Sequence, residues 1–259
     1  MMNQTINSPY IKQGERIDQL YWRGLKIIQQ PQYFCMALDP ILLADFTTVK
    51  PHDKVVDLGT GNGALPLLLW AKEPQAAFTG LEIMPNTADL AKRNVLFNNL
   101  AEHIRIVEGD IKEASLLLPK ASFSLVVTNP PYAKKGSGRI SPIPEVAAAR
   151  TELHCTLEDV IRQAAALLNS DGRLAMVHRP DRLAEAIILM ERYGVAPKRL
   201  RLVQPQQGKP PTMFLLEGVL HGKSGLQILP ALILQENGAY RREVEAIFAK
   251  NLSPEGERL

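Results

Sequence analysis

Apolar and polar positions along this chain switch repeatedly between a strand rhythm and a helix rhythm. Lys54 to Leu58 is a β-branched run of strand length, and Ala64 to Ala71 is a largely apolar segment of helix length. Ala77 to Leu81 reads as a second strand. Pro85 to Asn98 reads as a helix with Pro at its start and Asn98-Asn99 near its end. Ile104 to Val107 and Phe123 to Thr128 give a third and a fourth strand. Thr156 opens the next helix: Leu157, Val160, Ile161, Ala164 and Leu168 recur on one face, and Asp159 stands at its third position. Asn169-Ser170-Asp171-Gly172 predicts its stop, Arg173 to His178 a fifth strand and Pro180 to Arg192 another helix.

Strands alternating with helices in this way predict βαβ units and an α/β fold with a mostly parallel sheet. The rhythm then breaks. Lys198 to Val203 and Thr212 to Leu220 read as strands joined by the loop Gln204 to Pro211, which leaves no room for a crossover helix. They are expected to form an antiparallel pair at the sheet edge, with Tyr240 to Lys250 as a closing helix. Upstream, Met36 to Thr47 predicts a short helix with Asp39 as cap and Pro40 in the first turn. Residues 1–33 are polar with scattered aromatics and read as an irregular or short-stranded lid. No repeat or low-complexity linker divides the chain, so the expected organisation is an N-terminal extension over 1–35 and one domain over 36–259.

With 259 residues, 46% of them hydrophobic, the chain can fill the core of such a domain. Cys35 and Cys155 are its two cysteines, and neither a Cys-x-x-Cys nor a Cys/His cluster offers a zinc site. The five histidines lack ligand spacing, and His154 and His178 read as structural. The expectation is therefore no metal. A polar N-terminus without a signal-type apolar core, and a longest apolar stretch of only Leu65 to Ala71, point to a cytoplasmic protein with no membrane span. The net charge of +3 fits a nucleic-acid partner without requiring one. Two acid-free windows matter more. One holds Lys134, Lys135 and Arg139; the other holds Arg192, Lys198, Arg199, Arg201 and Lys209. They are either solvated faces or a rim that meets phosphates.

The candidate chemistry gathers where strands end. Strand one runs into Asp57-Leu58-Gly59-Thr60-Gly61-Asn62-Gly63, a glycine turn that lets a ligand approach the backbone near a helix N-terminus. The spacing is tighter than G-x-G-x-x-G, and Asp57 at its mouth would repel a diphosphate but attract an ammonium and a sulfonium. Glu82 ends strand two, 19 residues beyond Gly63, where an acid can accept both hydroxyls of a ribose. Asp110 lies at the same edge after strand three and can meet an adenine amino group, cap the following segment, or do both.

Strand four delivers Asn129-Pro130-Pro131-Tyr132 to that edge. A planar NH2 conjugated to a purine or a carbonyl is a poor nucleophile, because its lone pair is delocalised. Two acceptors aimed at its hydrogens localise that pair as positive charge develops. The Asn129 side-chain oxygen is one acceptor, the rigid Pro130 carbonyl the other, and Tyr132 can stack on a flat substrate.

Together these elements resemble the class I S-adenosylmethionine-dependent methyltransferases that modify amino nitrogens. The resemblance implies a Rossmann-like fold with a mostly parallel seven-stranded sheet and an antiparallel edge hairpin. It also implies S-adenosyl-L-methionine as cofactor, held by Asp39, Asp57, Gly59, Gly61, Asn62, Gly63, Glu82, Asp110 and Asn129. The finer likeness is to the bacterial tRNA1(Val) (adenine-37-N6)-methyltransferase family. It rests on Phe34 with Asp39-Pro40-Ile41-Leu42-Leu43-Ala44, Ala149-Arg150 with Glu152, His178-Arg179-Pro180-Asp181-Arg182-Leu183 and Leu215-Leu216-Glu217-Gly218. In that family the segment around Asp39 closes over the cofactor. Thr151 stands where the family pattern has His. The implied substrate is adenine N6 in tRNA, with Lys134, Lys135, Arg139, Arg179 and Lys209 as substrate contacts. Protein glutamine-N5 methylation shares the tetrapeptide but normally comes with an N-terminal helical domain, which residues 1–33 are too short to supply. Ribosomal RNA guanine-N2 methylation and a catalytically idle RNA-binding protein are the remaining alternatives. Intact Asp57, Glu82, Asn129 and Tyr132 speak against the last.

Overall fold

The computed structural model describes residues 8–20, 22–33, 35–130, 132 and 155–249. Phe34, Pro131, Lys134, Lys135, Arg139, Ala149, Arg150, Thr151, Glu152 and His154, on which parts of the sequence reading rest, lie outside the described residues.

The chain opens with an antiparallel hairpin, β1 (Arg16–Gln19) and β2 (Lys26–Gln29), followed by α1 (Asp39–Phe46). The alternation then runs β3 (Lys54–Leu58), α2 (Ala64–Lys72), β4 (Ala77–Glu82), α3 (Pro85–Phe97) and β5 (Ile104–Glu108). A 3-10 turn, Ile111–Glu113, leads into α4 (Ala114–Leu117) and β6 (Phe123–Thr128). Next come α5 (Leu157–Leu167), β7 (Leu168–His178), a 3-10 turn at Pro180–Arg182 and α6 (Leu183–Arg192). The described chain ends with β8 (Val195–Gln206), β9 (Met213–Leu220), β10 (Gln227–Ile228), β11 (Leu232–Glu236), β12 (Ala239–Tyr240) and α7 (Arg242–Phe248).

The main sheet has the order β12-β11-β8-β9-β7-β6-β3-β4-β5, with β10 also on β8. Pairing is parallel from β5 through β7, and β9 runs antiparallel to both β7 and β8. This is the α/β arrangement that the sequence rhythm and the resemblance predict. The sheet continues past the antiparallel pair, however, so the described residues form ten strands rather than the expected seven and the pair is not the edge: β10 and β11 line the outer side of β8 in parallel, and β12 follows β11. Alternate residues of the central strands face opposite layers. Val55, Leu125, Val127, Ala175 and Val177 pack with α1, α2, the hairpin and α7, whereas Val56, Val126, Leu174 and Met176 pack with α5 and α6.

Two side chains stitch the N-terminal segment to this body. Fully buried Trp22 donates its indole N–H to the Ile247 carbonyl in α7 at 2.8 Å. Buried Asn94 of α3 accepts from the Ile28 N–H and donates to the Ile28 carbonyl, satisfying one backbone position of β2 completely. Thr156 caps α5 in a reciprocal box with Asp159, as the sequence predicts. Asp39 does not cap α1. Leu38 holds that position without a side-chain bond, and the Asp39 carboxylate is engaged elsewhere.

Candidate active site

The turn after β3 is bound to its neighbours before any ligand is considered. Gly59 and Thr60 both donate their N–H to the Leu81 carbonyl at 2.9 Å, fixing the turn on β4. Asn94 reaches across with its second amide hydrogen to the Asn62 carbonyl at 2.9 Å, so one side chain holds the hairpin and the glycine turn together. Gly61 and Gly63 adopt φ of +58° and +82°, in the left-handed region that side chains resist. A Cβ on Gly61 would meet nothing within 4 Å, so the space above it is open, whereas one on Gly63 would already be in van der Waals contact with Ala91 at 3.4 Å. Openness over Gly61 is what a ligand lying along the backbone needs.

Two buried acids flank that space. Asp57 is 2% exposed, and its Oδ1 has no hydrogen-bond partner among the described residues. Burial pushes its carboxyl up to about 7, and the nearby Glu82 adds to the rise. Glu82 accepts from the Gly61 N–H and the Met84 N–H, each at 2.9 Å, which fixes both of its oxygens; burial raises its carboxyl too. Each oxygen keeps a second lone pair for a hydroxyl donor. Asp110 accepts from the Lys112 N–H at 2.9 Å and so caps the 3-10 turn, with its other oxygen 3.4 Å from the Lys112 ammonium. An orphaned buried acid beside an open glycine backbone fits a cationic group. A second acid at the end of the adjacent strand fits a diol. The chemistry of this donor set therefore matches S-adenosylmethionine.

Leu58 pairs with Thr128, so the glycine turn and Asn129 leave the sheet side by side. The Tyr132 hydroxyl lies 2.6 Å from Asn129 Oδ1 and 2.5 Å from Asp39 Oδ2. One phenolic proton cannot serve both oxygens. The carboxylate is the stronger acceptor and takes it, which leaves the Asn129 oxygen facing the phenol oxygen with its demand for a donor unmet. Burial and the Asp39 charge raise the Tyr132 hydroxyl, so it stays protonated. Asp39, read from sequence as a helix cap, thus joins α1 to the Asn129 element. The Tyr132 ring rests against His178, with centroids 5.2 Å apart.

The acid-free window from Arg192 to Leu216 does not stay uncompensated in the fold. Arg192 pairs with Glu158 at 2.9 Å, Arg199 with buried Glu217 at 3.5 Å, and Arg201 with Glu243. The Lys198 ammonium donates to the Lys223 carbonyl. These partners come from distant parts of the chain, which a local window cannot show. Lys209 is exposed in the turn between β8 and β9. Since Phe214 pairs with His178 and Met213 with Val203, that turn projects from the same edge as Asn129. Arg179 follows His178 there, its side chain 61% exposed and 4.0 Å from Asp181. Among the described residues no group of three or more His, Cys, Asp or Glu could hold a metal, and no helix is long and apolar enough to cross a membrane. Sequence reading missed Asn94 as the fastening of the glycine turn; an asparagine in mid-helix, poor in helix propensity, was the available signal.

Residues 25–196 match the family model described as methyltransferase small domain. The tRNA1(Val) (adenine(37)-N6)-methyltransferase of Porphyromonas gingivalis is 34% identical over 185 residues, spanning 69% of this chain and 72% of that protein. A crystal structure from Agrobacterium tumefaciens, described as a predicted O-methyltransferase, has 25% identity and a TM-score of 0.67, covering 81% of this chain and 95% of that one. Geranyl diphosphate C-methyltransferase from Streptomyces coelicolor, solved with S-adenosyl-L-homocysteine, shares the fold at a TM-score of 0.52 and 12% identity, over 69% of this chain and 75% of that one.

Proposed function

This chain belongs to the methyltransferase small domain family, and from that membership we propose that it transfers a methyl group from S-adenosylmethionine to N6 of an adenine in tRNA. The anticodon-loop position named for the Porphyromonas gingivalis relative, adenine 37, is the target we assign. The observation that carries the reading is the pairing of Leu58 with Thr128, which brings the glycine turn and Asn129 out of the sheet together. A cation held by Asp57 and an amino group held by Asn129 would then meet at one sheet edge.

The bound cofactor supplies an electrophilic methyl on a sulfonium. Asp57 would hold the cofactor's positive end, Glu82 its ribose and Asp110 its adenine, while Asp39, bound to Tyr132, would close over it from α1. Asn129 Oδ1 and the Pro130 carbonyl accept the two amino hydrogens and turn the nitrogen lone pair toward the methyl carbon. With the cofactor so held, its chemistry would be methyl transfer, an N–C bond forming as the C–S bond breaks and the surplus amino proton leaving to solvent. Arg179 and Lys209 meet backbone phosphates at the rim; Lys134, Lys135 and Arg139 are assigned the same role. Residues 1–35 form an extension and the catalytic domain follows from 36.

Purified protein incubated with labelled methyl donor and bulk tRNA is expected to give N6-methyladenosine in nuclease digests. Label on a release factor instead, with none in tRNA, would overturn the assignment. Asn129→Ala should lower kcat by about 10²–10³-fold and leave cofactor affinity within about twofold. Comparable loss of cofactor binding would show that Asn129 has a different job.

A further inference from the structure

His178 ends β7, and nothing in the chemistry above uses it. Thr128 pairs with Met176 in parallel register, so two residues further on His178 stands level with Pro130. The side chain is fully buried. Its ring lies between Phe214, stacked at 6.2 Å and 18°, and Tyr132 at 5.2 Å. Nδ1 accepts the Arg179 N–H at 2.8 Å, which leaves the ring proton on Nε2. Burial, with Arg182 close by, lowers the imidazole to about 4 and keeps it neutral. Nε2–H is thus a fixed donor, and it has no hydrogen-bond partner among the described residues.

A buried donor left unmet is costly, and such exceptions call for a partner that arrives later. The polar atoms that Tyr132 gathers here, Asn129 Oδ1 and Asp39 Oδ2, are acceptors. They suit the hydrogens of an amino group. They do not suit the ring nitrogen beside it, whose lone pair needs a donor. Adenine offers lone pairs on both sides of its amino group, whereas guanine presents an N–H on one side. The Tyr132 phenol faces Asn129 Oδ1, and the Tyr132 ring lies tilted against His178. An amino group that takes Asn129 would compete with that phenol, and a shift of the Tyr132 ring would open the imidazole to the base.

We propose that His178 is a substrate-positioning residue whose Nε2–H donates to the ring nitrogen adjacent to the amino group being methylated. The inference rests on the adenine-N6 reading above. A donor at the ring nitrogen withdraws density from the amine, so its contribution is to hold and select the base, and it should appear chiefly in KM.

The test uses the full chain with tRNA transcripts carrying adenosine, 1-deazaadenosine or 7-deazaadenosine at the target position. Wild-type protein is expected to lose about tenfold or more in kcat/KM on one deaza transcript. His178→Phe, which keeps a flat ring between Phe214 and Tyr132, should show that loss on adenosine, mainly through KM, with no further loss on the same deaza transcript. Its affinity for S-adenosylmethionine should stay within about twofold of wild type. Independent, multiplying losses would make His178 a packing residue and overturn the assignment. A wild-type enzyme indifferent to both deaza substitutions overturns it without any variant. Failure of wild-type protein to methylate the adenosine transcript is a separate result, which overturns the adenine reading itself.

Discussion

At the residue scale, Asp57 carries the most consequence. It is buried at the mouth of the glycine turn with one oxygen unpartnered, and burial holds its carboxyl near 7, far above the ordinary 3.8. Because the folded pKa is raised, the folded protein retains a proton that the unfolded chain has lost between about 3.8 and about 7. Stability from this group therefore falls as pH rises through that window and is flat above it. Cofactor binding has the opposite sign. A cationic ligand requires the ionised acid, so affinity should climb by up to about tenfold per pH unit below 7 and level off above. Calorimetric titration of S-adenosylmethionine between pH 5.5 and 8 checks this. Asp57→Asn should weaken binding and flatten the slope, and a slope that survives would shift the linkage to Glu82, whose carboxyl burial also raises. The placement of Asp57 at the mouth of the glycine turn was legible in the sequence because a strand, an acid and three spaced glycines coincide. The partner of Asp39 was not: its place before Pro40 suggests a cap and the family resemblance a place over the cofactor, and only the return of Tyr132 across 93 positions shows what its carboxylate meets.

At the element scale, local periodicity sufficed for most of β3 through α6, but β7 starts at Leu168 rather than Arg173: Leu168 pairs with Phe123 and the register shifts before Leu125 meets Arg173, so Asn169 to Gly172, read as a stop, form an irregular stretch within the strand. The β1–β2 hairpin is too short and too polar at its surface to stand out, and β10 and β12 have two residues each. The β8–β9 pairing was legible from loop length, but the strands added outside β8 were not, because period-two patterning does not identify a neighbour. One glycine shows how an element reaches into the site. Gly80 in β4 gives up its side chain to Thr60 of the glycine turn, and a Cβ there would lie 2.7 Å from Thr60 Oγ1 and 2.9 Å from Ile106 Cδ1. Thr60 is itself buried and tied by its N–H to Leu81, so the turn has little room to yield. Gly80→Ala should destabilise the fold by about 1–3 kcal/mol, the usual cost of overpacking. It should also weaken cofactor binding severalfold by displacing the turn. Urea denaturation and a binding titration on the same preparation read both effects. Lost stability with unchanged affinity would mean that β5, through Ile106, absorbs the strain instead.

At the scale of the whole molecule, the two edges of the sheet hold their cations differently. The carboxyl edge of the parallel strands carries the orphaned acid Asp57 within and the exposed cations Arg179 and Lys209 around it. The opposite edge holds Arg192, where α6 ends before β8 begins, and its charge is answered by Glu158. A flat count of basic residues treats these positions alike, and an RNA would not. A cation facing phosphate releases counterions on binding, so its removal lowers both affinity and the steepness of the salt dependence. A cation paired at the far edge does neither. Lys209→Ala should therefore weaken tRNA binding and reduce the slope of log K against log salt by about one, and Arg192→Ala should leave the slope unchanged. Filter binding across a salt series measures both. Equal slopes for the two variants would mean that the β8–β9 turn is not on the RNA path, and the phosphate contacts would then have to come from another part of this edge.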